Sequence, residues 1–377
     1  MSKVFKRKWK IKNGEKSCWA FDYLNTFGKR KIVSGFSTKQ EAEREKANIL
    51  SKVNNGIYVE NNKFLTFADM AEKHMKFHAE IHCKLSTYHS YVSYLKNHIF
   101  PLLADMRAIE ITPNTINEYI KVKQDEKLSN SSINKHLALI GAVFQSAINE
   151  GLLSINPVYK VKKLKEAQKE MEILTKEEIY AALETAKKHY PDFYPLLLTA
   201  IFTGMRRGEL LALTWDKINW VMKQIKVDRS VYSGQFVTPK TPKSKRRINM
   251  TDELVKVLKE WRLRCPNGEL NLVFPNNEGK FMDEHNLKRR KFVPVLRRAG
   301  VNQIRFHDLR HTFASLLLAE NLPAKYIQDQ LGHSSIKTTM DRYSHLMPEV
   351  HQQGIKALND FFGTNKIPEP TSIYKVV

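Results

Sequence analysis

Two polar, breaker-rich stretches constrain how this chain can fold before any single residue is weighed. NNGIYVENNK, ending near residue 63, is rich in Asn and carries a Gly; KVKKLKEAQKE, beyond the Asn156-Pro157 break, is charged and neutral toward helix. Neither offers a face to bury. They cut the 377 residues into units 1–60, 64–165 and 171–362, followed by a tail, 363–377, that holds Pro368 and Pro370 and ends in an apolar IYKVV. At roughly 150 residues per domain, the length itself points to two or three domains.

In the first unit, CWAFDYL alternates so that Trp19, Phe21 and Tyr23 share one face of a strand. The turn NTFGKRK follows, with Gly28 available for positive φ, and then a second strand around KIVSGF. Thr38 and Glu41 form a capping box that starts a helix. This small β-sheet with one helix carries Lys6, Arg7, Lys8, Lys29, Arg30 and Lys31. A ribbon of this size can enter a DNA major groove. The bland reading is that the lysines only solvate a small sheet.

The second unit reads as all-helical. FLTFADMAEKHMKFHAEI spaces its apolar residues helically, and STYHSYVSYLKNHIFPLL is a second helix, closed by Pro101. In ITPNTINEYIKVKQ, Thr112 caps and Pro113 takes the first helical position. SNSSINKHLALIGAVFQSAINEG starts at a Ser/Asn cap and stops at Gly151. Lys84, Lys96, Lys121, Lys123 and Lys135 are expected on exposed faces, where single lysines are ordinarily solvated charges.

The third unit opens on another capping box, Thr175 to Glu178, and alternates helices with a short β region around NWVMKQIKVDRSVYSGQFVTPKTPKSKRRINM. Four of its strings carry reactive side chains. In TGMRRGELLALTWDKI a helix is interrupted at Thr203-Gly204, placing Arg206 at the start of a new helical run, with Glu209 three residues on to orient it. TPKTPKSKRRINM is basic and turn-prone, and a hairpin there presents Lys240 outward. In RFHDLRHTFASLLL, His307 and Arg310 share a face at a helix start, where the helix field favours an anion; His311 points about a third of a turn away. In LGHSSIKTTMDRYSH, His333 and Tyr343 are joined by a polar stretch. Taken alone, an Arg at a helix start is ordinarily a surface ion pair, and a lone Tyr is packing or surface.

Charge narrows the partners. Lys+Arg 62 against Asp+Glu 39 leaves +23, and residues 1–60 alone hold 14 basic and 6 acidic side chains, a net of +8. A polyanion, nucleic acid first, fits that balance better than an anionic membrane surface, because no basic amphipathic helix carries an aromatic-rich apolar face. No apolar stretch approaches the roughly 18 residues of a membrane span, and the basic N-terminus lacks the apolar run of a secretory signal. The chain therefore reads as a cytoplasmic protein with no membrane partner. Cys18, Cys83 and Cys265 are odd in number and far apart, without metal spacing, and read as reduced thiols. There is no Gly-rich phosphate loop and no Walker motif.

Taken as an ordered set, the four strings resemble the tyrosine recombinase family, the phage-integrase-type site-specific recombinases of temperate phages and conjugative transposons. TGMRRGELLAL, HDLRHTFAS and LGHSS..TT..YSH carry the resemblance, which covers 171–362 well and 64–165 more weakly. It implies a multidomain, mainly α fold with small β elements: an arm-site DNA-binding domain over 1–60, a helical core-site-binding domain over 64–165, and a mixed α+β catalytic domain over 171–362. The implied catalytic residues are Arg206, Lys240, His307, Arg310, His333 and Tyr343, with Lys243 and Lys245 close enough to Lys240 to compete for its role.

The chemistry so implied is attack by Tyr343 on a DNA phosphodiester. Arg206 and Arg310 hold the non-bridging oxygens as paired guanidinium forks, and His333 adds a hydrogen bond. His307 accepts the phenolic proton, and Lys240 protonates the departing 5′ oxygen. The 3′-phosphotyrosyl link keeps the phosphodiester's energy, so no ATP, metal or other cofactor is needed. The resemblance further implies double-stranded DNA of core and arm type, a homo-tetramer in synapsis, a DNA-bending host factor and an excisionase, and a helix in VHQQGIKALNDFF that packs on a neighbouring protomer. Two other readings stay open: a DNA-binding regulator with a decayed catalytic domain, and a type IB topoisomerase-like enzyme.

Overall fold

The structure is a computed structural model that describes residues 3–11, 14–24, 30–54, 65–166, 171–238, 244–343 and 359. It divides into two compact units, residues 1–168 and 169–377.

The first unit begins with an antiparallel meander of β1 (Val4–Ile11), β2 (Gly14–Leu24) and β3 (Arg30–Phe36), followed by α1 (Lys39–Asn54). The sequence pattern anticipated β2, β3 and α1. It did not mark β1, whose alternating Lys and Arg hide its pairing. The register Lys6↔Trp19, Arg7↔Cys18, Lys8↔Ser17 shows the backbone ladder supplying what the side chains do not advertise. Phe21 and Tyr23 pack on Ala42 and Ile49 of α1, with Trp19 and Phe36 at the margin. At the helix start the Glu41 N–H donates to Thr38 Oγ1 (3.2 Å), and the Ser37 N–H donates to the Glu41 carboxylate (3.1 Å).

The helical part of this unit has its own core. α2 (Phe67–His74) passes through a π-turn, Met75–Ala79, into α3 (Glu80–His82). α4 (Leu85–Tyr94) passes through a second π-turn, Leu95–Ile99, into α5 (Phe100–Leu103). Pro101 therefore does not close this helix. The wider turn ahead of it shifts the hydrogen-bond ladder where the ring would meet a carbonyl, and the chain stays helical to Leu103. α6 (Pro113–Asp125) and α7 (Asn130–Asn149) carry the expected caps, Thr112 and Ser129. Phe67, Met70, Ile99, Ile116, Ile133, Ile140 and Phe144 fill the interior. Lys123 departs from expectation. It is buried rather than exposed, its ammonium held by both oxygens of Glu126 (2.8 and 3.0 Å) and lying 5.7 Å from the Tyr119 ring centre. The first half of the charged segment KVKKLKEAQKE is also less loose than its composition suggests, since Asn134 of α7 donates to the Leu164 carbonyl and accepts from its N–H.

The second unit starts at the Thr175 capping box with α8 (Lys176–His189), then α9 (Tyr194–Thr203) and α10 (Arg207–Leu211). A small antiparallel sheet follows, ordered β4 (Ile218–Asn219), β5 (Gln224–Val227), β8 (Arg246–Asn249). Between β5 and β8 lies the hairpin of β6 (Ser230–Tyr232) and β7 (Gln235–Val237), whose turn residues Ser233 and Gly234 both take positive φ, the geometry a two-residue hairpin favours. α11 (Asp252–Arg264) and α12 (Glu284–Asn286) come next, and a π-turn, Leu287–Phe292, leads from α12 into α13 (Val293–Ala299). α14 (Asp308–Ala319), α15 (Ala324–Leu331) and α16 (Ile336–Tyr343) follow. One large core spans α8 to α14; a smaller cluster of Phe313, Ala314, Leu318, Ile327, Leu331 and Tyr343 joins α14, α15 and α16. Among the described residues no helix is long and apolar enough to cross a membrane.

Candidate active site

The break after α9, the starts of β8 and α14, the turn after α15 and part of α16 converge in the second unit. In the first of these, Gly204 takes φ +58, and a Cβ built on it would meet Phe313 Cδ1 at 2.4 Å, so this turn requires glycine. The chain then extends through Arg206, the N-cap of α10. Glu209, three residues on, accepts from the Arg206 backbone N–H (2.9 Å) and from its guanidinium (2.8 Å). The arginine is thus steered by a carboxylate on its own first turn, as its spacing foretold.

Glu209 is buried and has a second partner. Arg246, at the start of β8, donates to both of its oxygens (3.2 and 2.9 Å) and, through Nε, to the Gln330 carbonyl at the end of α15 (2.7 Å). Burial alone would raise the Glu209 carboxyl; the charge and hydrogen bonds of Arg246, with Arg206 behind them, outweigh it and hold the pKa near about 2. Sequence reading did not single out Arg246. A signal was present: strand alternation puts Arg246 on the same face as buried Ile248, while exposed Arg247 faces the other way.

Arg310, in the first turn of α14, is 3% exposed. Its Nη1 donates to the Gly204 carbonyl (2.7 Å) and its Nη2 to the Leu331 carbonyl. Burial, then the charges of Arg206 and Arg246, press its pKa down to about 9, so it remains a cation at neutral pH; Glu209 and Tyr343 act in the opposite direction. Each arginine's influence on Arg310 marks a compact cationic pocket around one carboxylate.

The histidines divide by position. His307 is the exposed N-cap of α14, and His311, one turn on, is buried. Their rings stand nearly perpendicular with centres 5.4 Å apart. His333 follows Gly332, which ends α15 at φ +67; the His333 N–H donates to the Gln328 carbonyl (3.2 Å), and its Nδ1 lies 2.9 Å from Thr339 Oγ1 on α16. Tyr343 lies on α16 and is buried in the small cluster. His311 meets its hydroxyl, with Nδ1 at 2.7 Å from Oη. The i, i+4 spacing from His307 to His311 was the available sign that both could serve one site.

Five of the six expected catalytic side chains, Arg206, His307, Arg310, His333 and Tyr343, thus fall on the elements that build this pocket. Lys240 and Lys243 lie outside the described residues; Lys245 is exposed just before β8. Of the basic residues in the N-terminal sheet, Lys6, Arg7 and Lys8 are exposed on β1, Lys31 is half-buried, and Lys29 lies outside the described residues. Arg30 is committed internally, pairing through Nε (2.7 Å) with the buried Asp22 carboxylate, which also receives the Lys3 N–H. Among the described residues no group of three His, Cys, Asp or Glu could hold a metal ion.

Comparison with known proteins places this geometry. Residues 172–349 match the phage integrase family, and residues 64–164 match the phage integrase SAM-like domain. The chain is 30% identical over 292 residues to the ICEBs1 integrase of Bacillus subtilis, spanning 74% of this chain and 79% of that protein. It is 28% identical over 357 residues to a XerC-like tyrosine recombinase of Caldanaerobacter subterraneus, spanning 86% and 90%. Its fold is similar to that of the Tn1549 transposon integrase solved with a circular intermediate DNA (TM-score 0.68, 19% identity, 78% and 99% of the two chains). It is also similar to that of the lambda integrase dimer on a COC′ core site (TM-score 0.59, 20% identity, 91% and 94%).

Proposed function

Because this chain belongs to the phage integrase family of tyrosine recombinases, we propose that Tyr343 is its nucleophile and that Arg206, Arg310 and His333 bind the phosphate it attacks. The chain is a site-specific recombinase of mobile elements, an enzyme that breaks and rejoins DNA strands. The observation that carries the residue assignment is the meeting of Tyr343 with the α14 helix, where its hydroxyl touches His311 and its phenol interacts electrostatically with Arg310.

The pocket suits a pentacoordinate phosphorus. Two guanidinium groups, each held by fixed partners, offer donors to oxygens that gain charge only as the transition state forms. Because these donors are set by Glu209, Gly204 and Leu331, little reorganisation remains when the phosphate arrives. A free phenol has a pKa of about 10, so Tyr343 needs both this cationic field and a proton acceptor. His307 at the helix start is a candidate on the exposed side. Lys240 is the proposed acid for the 5′ oxygen, with Lys243 and Lys245 as its competitors.

The lambda integrase has been solved as a dimer on a core site and as a tetramer on a Holliday junction. By that analogy residues 64–165 bind core-type sites, residues 1–60 bind arm-type sites through Lys6, Arg7 and Lys8, and the working assembly is a tetramer on double-stranded DNA. A DNA-bending host factor and an excisionase are the proposed accessory proteins, and the cytoplasm is the proposed compartment.

A nicked suicide duplex carrying the element's attachment core tests the assignment. The wild-type protein should become covalently joined to the strand. Tyr343→Phe should not, and Arg206→Ala should lose the adduct with the tyrosine intact. An adduct formed by Tyr343→Phe would refute the nucleophile.

A further inference from the structure

We propose that His311 is a catalytic residue of this recombinase, holding the Tyr343 hydroxyl and receiving its proton during strand cleavage. The proposal rests on the assignment of Tyr343 as nucleophile and goes beyond it, because the acceptor named above on sequence grounds is His307.

The geometry is direct. His311 Nδ1 lies 2.7 Å from Tyr343 Oη, inside the hydrogen-bond reach that proton transfer requires. Both groups are buried, so the bond is little diluted by water. His307, one turn earlier, is exposed and set on edge against the His311 ring. That position suits a group meeting the DNA phosphate, while His311 sits behind the nucleophile.

The surroundings support the transfer. His311 follows Arg310 directly, so the helix that takes the phosphate also carries the base, and the two keep their spacing as one rigid element. Among the described groups facing this pair are Arg310, whose charge interacts with Tyr343, Asp308 one turn back, which interacts with His311, and His307. A neutral imidazole with its proton on Nε2 presents Nδ1 as the acceptor, and the phenol then donates.

In cleavage, a bond forms between Tyr343 Oη and phosphorus while the bond from phosphorus to the 5′ oxygen breaks. The phenolic proton passes to His311 Nδ1, leaving an imidazolium, and the 5′ oxygen takes a proton from the separate acid, proposed to be Lys240. In rejoining, an incoming 5′ hydroxyl attacks phosphorus and gives its proton to that acid's conjugate base. Tyr343 then leaves and recovers its proton from His311. No external oxidant, reductant or metal enters the balance.

The test uses the full-length protein in single-turnover cleavage of two substrates. One is the nicked suicide duplex; the other is the same duplex with sulfur in place of the bridging 5′ oxygen. Sulfur leaves without protonation, so it relieves defects in the acid and not in the base. His311→Asn, whose amide falls near the Nδ1 position, keeps a hydrogen-bond acceptor toward Tyr343 but takes no proton. It should bind core DNA as wild type does, yet cleave both substrates roughly 10²- to 10⁴-fold more slowly. Lys240→Ala should recover on the sulfur substrate. Should asparagine leave the buried site underfilled and unfold the protein, His311→Gln, which restores the side-chain length, carries the same comparison. Cleavage by the folded variant within threefold of wild type, or a defect that sulfur relieves, would overturn the role of His311. Adduct formation by Tyr343→Phe would instead overturn the nucleophile, so the two failures are distinct.

Discussion

The Arg310 guanidinium donates to the carbonyl of Gly204, 2.7 Å away across 106 residues of sequence. This bond joins the first turn of α14 to the break after α9, and so places two proposed phosphate-binding arginines, Arg206 and Arg310, on either side of one glycine turn. A backbone carbonyl cannot be changed by substitution. The turn can be disturbed only through the glycine's conformation or the arginine's fork.

Gly204→Ala should therefore be destabilising well beyond a surface change. The new methyl would need φ +58 and would press on Phe313, which strain and overpacking put at roughly 1–3 kcal/mol. Thermal unfolding of wild type and variant checks this. An unchanged Tm would mean that Phe313 moves aside freely.

Glu209 couples the site to acid. Its folded pKa, held near about 2 against an ordinary value of 4.5, means the carboxylate's contribution is complete above about pH 4.5 and is lost as the pH falls toward about 2. The wild-type Tm should drop across that window. Glu209→Gln should start from a lower Tm at neutral pH and show a shallower acid decline, as unfolding monitored from pH 7 to 2.5 would reveal.

Arg246 should matter to cleavage although no DNA contact is claimed for it. Arg246→Met strips Glu209 of its bidentate partner and Gln330 of a donor, and breaking a buried pair of this kind costs about 3–5 kcal/mol. With Glu209 free to shift, Arg206 loses its anchor, so adduct formation should slow while core-DNA binding persists. Equal adduct rates in wild type and variant would show that Arg206 alone suffices to hold the carboxylate.

The helical part of the first unit should loosen on mild acidification. Burial, reinforced by His78, lowers the His74 pKa to about 4; burial, His98 and Lys123 do the same for His136, with Glu126 opposing. His74 Nδ1 lies 2.7 Å from Ser146 Oγ, and His136 Nδ1 lies 2.9 Å from the Tyr119 hydroxyl. Both histidines fold neutral, so their stabilisation is complete above the ordinary 6.5 and is lost as the pH falls toward about 4. Hydrogen exchange in α2, α6 and α7 should accelerate over that range. His74→Gln together with His136→Gln should flatten the response.

Much of the local architecture was legible in the chain. Thr66 was not singled out, but the Thr175 box and the caps at Thr38, Thr112 and Ser129 start their helices where the pattern puts them, because a cap is satisfied by residues three positions away; at Thr38 the expected box is only half made, since the Glu41 carboxylate takes the Ser37 N–H instead. Arg206 and Glu209 were legible for the same reason. β1 was not marked, and Lys123 and Pro101 were misread, because strand pairing, burial in a packed unit and a shifted ladder are not written in residue type. β1 is identified by its register on β2, Lys123 by its packing on Tyr119, and Pro101 by the π-turn before it.

The ordered reactive residues and the basic excess were matters of sequence alone. Residue type, spacing and charge are properties of the chain, and they suffice to indicate the reaction class and its polyanionic substrate. Which side chain meets the nucleophile was decided only by the fold. His307 and His311 stand four residues apart in one string, and α14 exposes the first and packs the second against α16. The same holds for Arg246, whose partner Glu209 lies 37 residues away. Contacts of that kind arise when separate helices and strands bury their apolar faces together, and periodicity along one element carries no record of which neighbour it meets.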